Sequence, residues 1–279
     1  MIHHITPERQ SVFVTHLRLA EKSGATIEKY TRDVRAFAAY AKGREVDKQL
    51  VLDYKSALLD QYTVTSANSM LAALNSFFRF CGWHDLVVKQ FRVQREAFCS
   101  EEKELTRQEY MRLVSTAERR GDDRLSLVLQ TICGTGIRVS ELAYITVAAV
   151  KCGEARVTCK GKTRRIFIVP ELRKKLLAYI KKQGIKEGSV FITRSGLPMD
   201  RTSIWRAMKA LCTAAKVAAT KVFPHNLRHI FARVFYSMQK DIVTLADLLG
   251  HASINTTRIY TVTTGESHKR KMKLMKLIL

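Results

Sequence analysis

Residues 224–260 read PHNLRHIFARVFYSMQKDIVTLADLLGHASINTTRIY, and the spacing of histidine, arginine and tyrosine in this stretch guides the interpretation of the whole chain. Pro-His-Asn-Leu-Arg-His occupies 224–229, and Leu-Leu-Gly-His occupies 248–251. Tyr260 follows His251 by nine residues. A single His-x-x-Arg motif is common by chance, so only the ordered set is informative.

Two earlier segments extend this pattern. Gly-Thr-Gly-Ile-Arg-Val-Ser-Glu-Leu at 134–142 places Arg138 after a glycine pair in an otherwise apolar stretch, with Glu141 one helical turn later. Cys-Lys-Gly-Lys at 159–162 lies between two short β patterns, Ala155–Cys159 and Arg164–Val169. The pattern predicts a hairpin whose turn is 160–163.

Helical periodicity dominates elsewhere. It predicts helices at 23–41, near 46–60 and near 66–81, and Thr26 is the expected cap of the first. In the third helix, Asn68, Asn75 and Arg79 are expected to lie away from the buried face.

Periodicity is lost at 89–104 and resumes with a capping box at Thr106–Glu109. Pro170 and Pro224 are expected to begin further helices. We therefore expect a mainly α (α+β) chain. An N-terminal helical bundle at 1–88 and a linker at 89–104 would precede a mostly helical domain with a small antiparallel β-sheet at 105–279.

The chain is strongly basic, with a net charge of +23 over 279 residues. Residues 1–90 hold 12 Lys/Arg and 9 Asp/Glu, whereas residues 91–279 hold 36 and 16. This bias predicts a polyanionic partner, most often nucleic acid, bound more tightly by the second part. The alternative is a basic protein without a specific partner.

The six cysteines form no C-x-x-C pair and have no histidine cluster nearby, so we expect no metal site and no redox chemistry. They read as thiols in a reducing cytoplasm. No apolar run approaches the length of a membrane helix, and residues 1–10 do not resemble a signal peptide. We therefore expect a cytoplasmic protein without a membrane partner.

In order and spacing, these motifs resemble the tyrosine recombinase (phage integrase) family, and its short Xer-type members in particular. The resemblance covers the whole chain but is specific only in the last two-thirds. It implies a SAM-like core-binding domain at 1–88 and a catalytic domain at 105–279, closing together around duplex DNA. From the length, we expect no additional N-terminal domain of the kind that the larger integrases have.

The resemblance also implies a site-specific DNA recombinase. Such an enzyme cleaves and rejoins duplex DNA through a 3′-phosphotyrosine and a Holliday junction. It acts in integration or excision of mobile elements or in dimer resolution. It would work as a tetramer on sites with inverted half-sites, and a partner recombinase or accessory protein is conceivable.

By this resemblance, Arg138 and Arg228 clamp the scissile phosphate, and His251 is a third donor. Planar, permanently charged guanidinium groups suit this role, because they bind phosphate oxygens bidentately. Preorganised donors of this kind stabilise the charge of the transition state without a metal ion. No metal and no nucleotide cofactor are therefore expected.

The same family pattern assigns the proton transfers. Tyr260 is the nucleophile, His225 the base or proton acceptor, and Glu141 the residue that orients His225. Lys160 is the general acid for the leaving 5′-oxygen, with Lys162 as the alternative. The turn reads Lys-Gly-Lys-Thr-Arg-Arg where the family more often has Gly-Lys-Gly, which leaves its path open.

The remaining expectations concern DNA contacts and supporting residues. His229 is interpreted as a buried structural histidine. Residues expected to contact DNA lie on a helix of the first domain and in the predicted hairpin: Lys29, Arg32, Arg35, Lys162 and Arg164.

Two other functions fit part of the pattern. A type IB topoisomerase-like enzyme uses the same chemistry without exchanging strands, although the Xer-like layout disfavours it. A non-enzymatic DNA-binding protein of the same fold is the second, and the intact set of motifs argues against it. The tail 266–279 places Met272, Met275 and Ile278 on one side. The resemblance implies that it docks on a neighbouring subunit, and docking on its own domain is the alternative.

Overall fold

The computed structural model describes residues 3–93, 104–159, 162–251, 253–260 and 273–274. The chain divides into two compact units, Met1–Arg95 and Glu96–Leu279. The expected mainly α fold with a small antiparallel sheet is confirmed. Among the described residues, no helix is both long and apolar enough to cross a lipid bilayer.

The first unit is a helical bundle. Its helices are α1 (Pro7–Leu19), α2 (Gly24–Ala41), α3 (Lys48–Gln61) and α4 (Val64–Phe80). Phe13 and Leu17 of α1 are buried with Phe37 of α2 and Phe77 of α4. No helix was predicted at α1, because its apolar residues do not gather on one face of the helix, and tertiary packing stabilises it. The expected cap Thr26 is wrong, since α2 begins earlier and Ser23 caps it.

Two asparagines of α4 hold the chain that follows it. The side chain of Asn75 accepts from Val88 N at 3.0 Å and donates to Val88 O at 2.8 Å. Asn68 makes the same pair of bonds with Phe91. Asn75 is only 6% exposed, so the expectation that it lies away from the buried face is wrong. Its amide pairs with backbone that would otherwise be buried without partners.

The second unit contains the remaining helices and the sheet: α5 (Arg107–Arg119), α6 (Asp123–Thr135), α7 (Val147–Cys152), β1 (Glu154–Cys159), β2 (Lys162–Phe167), α8 (Pro170–Gln183), α9 (Arg201–Ala215), α10 (Pro224–Gln239), α11 (Ile242–Leu249) and α12 (Ile254–Thr257). Short 3-10 segments lie at Val139–Tyr144 and Arg258–Tyr260. The capping box Thr106–Glu109 and the helix starts at Pro170 and Pro224 are confirmed.

Gly136 ends α6 and brings the next segment against α10. Its φ of +65° is left-handed, and a Cβ there would lie 2.5 Å from a ring carbon of Phe231. Only glycine meets both conditions without strain. Because α6 also packs against α10, Arg138 lies close to the start of α10. Arg138 is the residue immediately before the 3-10 segment Val139–Tyr144.

The hairpin differs in detail from the prediction. Cys159 pairs with Lys162, so Lys162 and Thr163 belong to β2 and not to the turn. Ala155, Val157 and Ile166 are buried in the core of the second unit. The inward face of the strands therefore anchors the hairpin. Lys160 and Gly161 lie outside the described residues.

Candidate active site

Arg228 is the centre of the site and is only 2% exposed. Its Nη1 donates to Gly136 O at 2.6 Å, and its Nη2 donates to Leu249 O at 2.6 Å. Nη2 also lies 3.0 Å from His251 Nε2. One buried guanidinium thus joins the end of α6 to the end of α11. Burial and the charge of Arg138 lower its pKa to about 10, so Arg228 stays charged at neutral pH.

Arg138 lies at the edge of the same cluster, with 38% of its side chain exposed. Its Nη2 donates to Gly250 O at 3.2 Å, and its Nη1 donates to Glu141 Oε1 at 2.9 Å. Both arginines therefore bind backbone carbonyls of the segment that leads from α11 to His251. The structure brings together Arg138, Arg228 and His251, three of the residues proposed from the sequence.

The hydrogen bonds of His251 define its tautomer. A guanidinium can only donate, so Nε2 of His251 must accept from Arg228. Nδ1 then carries the proton and donates to Thr257 Oγ1, 2.7 Å away. Burial and the charges of Arg228, Arg138 and Arg164 lower the pKa of His251 to about 4, which favours this neutral form.

Tyr260 is 3% exposed and packs between two histidines. Its ring stacks on His251 with centroids 5.8 Å apart and meets the edge of His229 at 4.7 Å. Its hydroxyl lies close enough to Arg228 for the phenol to raise the pKa of that arginine, but it makes no hydrogen bond of good geometry to a described residue. A buried hydroxyl without a partner is costly, and such groups often belong to functional sites.

His225 opens onto a cavity of about 380 Å³ that Arg138 and Arg228 also line. Its ring contacts His229, at 4.5 Å between centroids, and the described ring contacts of Tyr260 are with His229 and His251. Burial and the charges of Arg228, Arg138 and Arg201 lower the pKa of His225. That His225 accepts the proton of Tyr260 stays a prediction.

Arg201 and Trp205 of α9 line the same cavity, and sequence reasoning missed both. They lie four residues apart and so share one face of the helix. That spacing is the only signal in the sequence, and it is too common to identify a site. Thr257, the hydrogen-bond partner of His251, was also missed, because no pattern in the sequence marks it.

Glu141 is buried, and its carboxylate binds two arginines. Oε1 accepts from Arg138 Nη1, and Oε2 accepts from the backbone N–H of Arg138 at 2.9 Å and from Arg164 Nη2. Among the described residues it has no hydrogen bond to His225, the residue it was expected to orient. Burial raises the pKa of Glu141, but the hydrogen bond from Arg138 N and the charge of Arg164 outweigh burial and lower it.

The residues expected to contact DNA lie in different surroundings. Arg164 is 12% exposed and turned toward Glu141, an arrangement that does not favour a DNA contact. Lys29 binds Asp33 and donates to Ser69 O at 3.1 Å. Arg32, with 72% of its side chain exposed, and Arg35 face solvent. The side chains of Lys160 and Lys162 lie outside the described residues.

This arrangement suits chemistry on an anionic phosphate. Two fixed guanidinium groups face a cavity, and a buried phenol lies beside one of them. Fixed cations stabilise negative charge in a transition state without reorganising as it forms. A tyrosine hydroxyl can act as a nucleophile toward phosphorus once it reaches the phosphate.

Stability should fall in mild acid because two site histidines are held neutral. Burial is the main reason that the pKa values of His229 and His251 are lowered from 6.5 to about 4. The stabilisation is complete above pH 6.5 and is lost as pH falls toward 4, because only the unfolded chain binds the protons. We expect a loss on the order of 1 to 2 kcal/mol per histidine between pH 6.5 and 5.

Urea unfolding of the full chain at both pH values measures this loss. The variant His229→Gln should show a smaller loss than the wild type. Identical losses of unfolding free energy in the two proteins would contradict the assignment of part of this pH dependence to His229.

Comparison with known proteins identifies the family. Residues 103–266 match the model of the phage integrase family, and residues 11–84 match its N-terminal SAM-like domain. The tyrosine recombinase XerA of Thermococcus kodakarensis is 31% identical over 274 residues, covering 95% of this chain and 94% of the relative.

Solved structures show the same fold. A lambda integrase(75–356) dimer bound to a COC′ core site matches with a TM-score of 0.74 and 16% identity, covering 92% of this chain and 95% of that one. The XerH site-specific recombinase bound to difH substrate matches with a TM-score of 0.70 and 18% identity, covering 92% of this chain and 82% of that one. This chain belongs to the phage integrase family and is related along nearly its whole length to the Xer tyrosine recombinases.

Proposed function

We propose that this protein recombines DNA at specific sites through a covalent 3′-phosphotyrosine at Tyr260 and a Holliday junction. One observation carries the proposal. Arg138 and Arg228 both bind the segment that carries His251, beside the buried hydroxyl of Tyr260. The match to recombinases along the chain supports the same reaction.

In the proposed reaction, Tyr260 Oη attacks the scissile phosphorus while the bond from phosphorus to the 5′-oxygen breaks. The phenol loses its proton to a base, for which His225 is the candidate, and the leaving oxygen gains a proton from Lys160. The new ester keeps roughly the energy of the phosphodiester it replaces. A 5′-hydroxyl from another strand can therefore reseal the DNA without ATP.

Tyr260 does not line the cavity that Arg138, His225 and Arg228 share. Attack therefore requires its hydroxyl to move toward a phosphate held there. The segment from α12 to Tyr260 is short, and its movement would release Thr257 and His251 from their hydrogen bond. His251 would then be able to turn a donor toward the phosphate.

Covalent capture tests the proposal. The full chain is incubated with a pool of nicked duplexes of random sequence, and covalent adducts are isolated on a denaturing gel. We expect one enriched sequence with inverted half-sites, and exchange of strands between two such duplexes. Relaxation of a plasmid that lacks this site would favour a topoisomerase-like enzyme, and specific binding without an adduct would favour a non-catalytic protein.

The general acid can be tested although Lys160 lies outside the described residues. Lys160→Ala should cleave normal DNA slowly, by roughly 10²-fold or more, because general acid catalysis commonly contributes that much. The rate should recover on a 5′-bridging phosphorothiolate, whose thiolate leaves without a proton. Lys162→Ala is the matched comparison. Recovery by that variant alone would move the acid role to Lys162.

The tail 266–279 is proposed to hold the tetramer together, and only Lys273 and Leu274 of it lie within the described residues. Docking would bury its apolar side and would order a chain end that is otherwise disordered. Deleting 266–279 should preserve binding to one half-site but weaken cooperative filling of the full site and reduce recombination. Gel shifts on half and full sites measure this. An unfolded truncation would place the tail in its own core. Normal recombination would exclude an assembly role.

Other finer assignments also stay proposals. The exposed Arg32 and Arg35 are candidates to contact DNA in the first unit. Cytoplasmic location and the need for a partner recombinase or accessory protein rest on the sequence alone.

A further inference from the structure

Arg164 of β2 reaches out of the hairpin into the candidate active site. Its Nη1 donates to Leu248 O at 2.6 Å, and its Nη2 binds Glu141. Side chains of a strand alternate between its two faces, and Arg164 lies opposite Val157 on the buried face. The hairpin is thereby tied to the end of α11, just before His251.

The fit of Arg164 against Gly250 is close. A Cβ on Gly250 would lie 2.5 Å from Arg164 Cδ and 2.8 Å from its Nε, so the arginine lies directly on the glycine backbone. Gly250 has a φ of +63°, which glycine adopts without strain. The carbonyl of the same Gly250 accepts from Arg138. Arg164 and Arg138 therefore both bind the backbone of residues 248–250 and hold it in place.

The charges of this cluster depend on Arg164. Glu141 is 4% exposed and binds both Arg138 and Arg164. One carboxylate and two guanidinium groups leave one net positive charge. Glu141 already forms an ion pair with Arg138, and without Arg164 that pair would carry no net charge. Arg138 would then have little charge left for a phosphate.

We infer that Arg164 is a positioning residue for strand cleavage, which neutralises Glu141 and fixes residues 248–251 so that Arg138 and His251 face the scissile phosphate. The inference rests on the proposed function. Arg164 does not touch the reacting atoms in this assignment. It acts through Glu141 and through the backbone that carries His251.

The test compares Arg164→Met with Arg165→Met. Arg165 is the adjacent residue on the opposite face of β2, with 64% of its side chain exposed. Each variant removes one positive charge from β2. The wild type and both variants are mixed with the nicked duplex found by covalent capture. The affinity for the duplex and the single-turnover rate of adduct formation are measured separately.

We expect Arg164→Met to bind the duplex nearly as well as the wild type but to form the adduct roughly 10²-fold more slowly, a loss typical of misplaced groups. Arg165→Met should form it at the wild-type rate. Arg164→Lys should be intermediate, because an ammonium keeps the charge but cannot form the two-sided contact of a guanidinium.

A substrate with a neutral methylphosphonate at the cleavage point separates this role from a merely structural one. With no negative charge to bind, the reaction should depend less on Arg138, so the defect of Arg164→Met should shrink at least several-fold. A 5′-bridging phosphorothiolate should not restore the rate. Recovery on it would mean that Arg164 serves the leaving group, which overturns the inference.

Several results would contradict the inference. One is an Arg164→Met variant that cleaves like Arg165→Met. A second is an equal defect on phosphate and methylphosphonate. If thermal unfolding shows that Arg164→Met does not fold, Arg164→Lys decides, and a wild-type rate for it contradicts the inference. A wild type that forms no adduct on any duplex contradicts the proposed function itself, and the inference with it.

Discussion

Tyr260→Phe is expected to abolish the covalent protein–DNA adduct while leaving DNA binding nearly unchanged. The ring stays packed between His229 and His251, and only the hydroxyl is lost. Because that hydroxyl has no hydrogen-bond partner among the described residues, its removal should not reduce the free energy of unfolding. The rate of adduct formation should fall by roughly 10⁴-fold or more, as for other nucleophiles.

The matched control is Tyr236→Phe. Tyr236 is partly buried against the same small cluster that contains Tyr260, so the two variants lose the same atom beside the same cluster. A denaturing gel measures the adduct, and a gel shift measures binding. Adduct formation by Tyr260→Phe would mean that another residue is the nucleophile. Loss of the adduct in Tyr236→Phe as well would mean that the effect is structural.

Arg228→Met is expected to have the second largest effect. The change removes a cation of the proposed phosphate clamp and leaves Gly136 O and Leu249 O without their donor. We expect adduct formation to slow by roughly 10³-fold, the upper range for loss of one transition-state donor. The unpaired carbonyls should lower the free energy of unfolding by about 1 to 3 kcal/mol each.

Arg173→Met separates the effect on cleavage from the effect on folding. Arg173 also binds two carbonyls, Val150 O at 3.0 Å and Lys151 O at 2.6 Å, but it does not line the cavity. It should lose stability and still cleave normally. Thermal unfolding and single-turnover cleavage give the two quantities. If Arg228→Met cleaves as fast as Arg173→Met, Arg228 is not part of the phosphate clamp.

Local chemistry explains which elements the sequence predicted correctly. The capping box at Thr106–Glu109 and the prolines at 170 and 224 act on their own turn, so their effect is readable without the fold. The predictions that failed concern features that depend on tertiary packing. α1 is stabilised by burying Phe13 and Leu17, and Asn75 is buried because Val88 folds back onto α4.

The sequence by itself determined the family and pointed to candidate residues of the types to which the chemistry is restricted. Cleaving a phosphodiester through a protein ester calls for guanidinium groups, a nucleophile and proton carriers, and order and spacing predicted Arg138, Arg228, His251 and Tyr260 for these roles. Only the tertiary structure decided which groups hold them. Arg164, Gly250 and Thr257 acquire their roles because packing places β2 and α12 beside the end of α11. A hydrogen bond acts over about 3 Å, whereas Gly250 and its donor Arg138 lie 112 positions apart in the chain, so no local pattern records such partners.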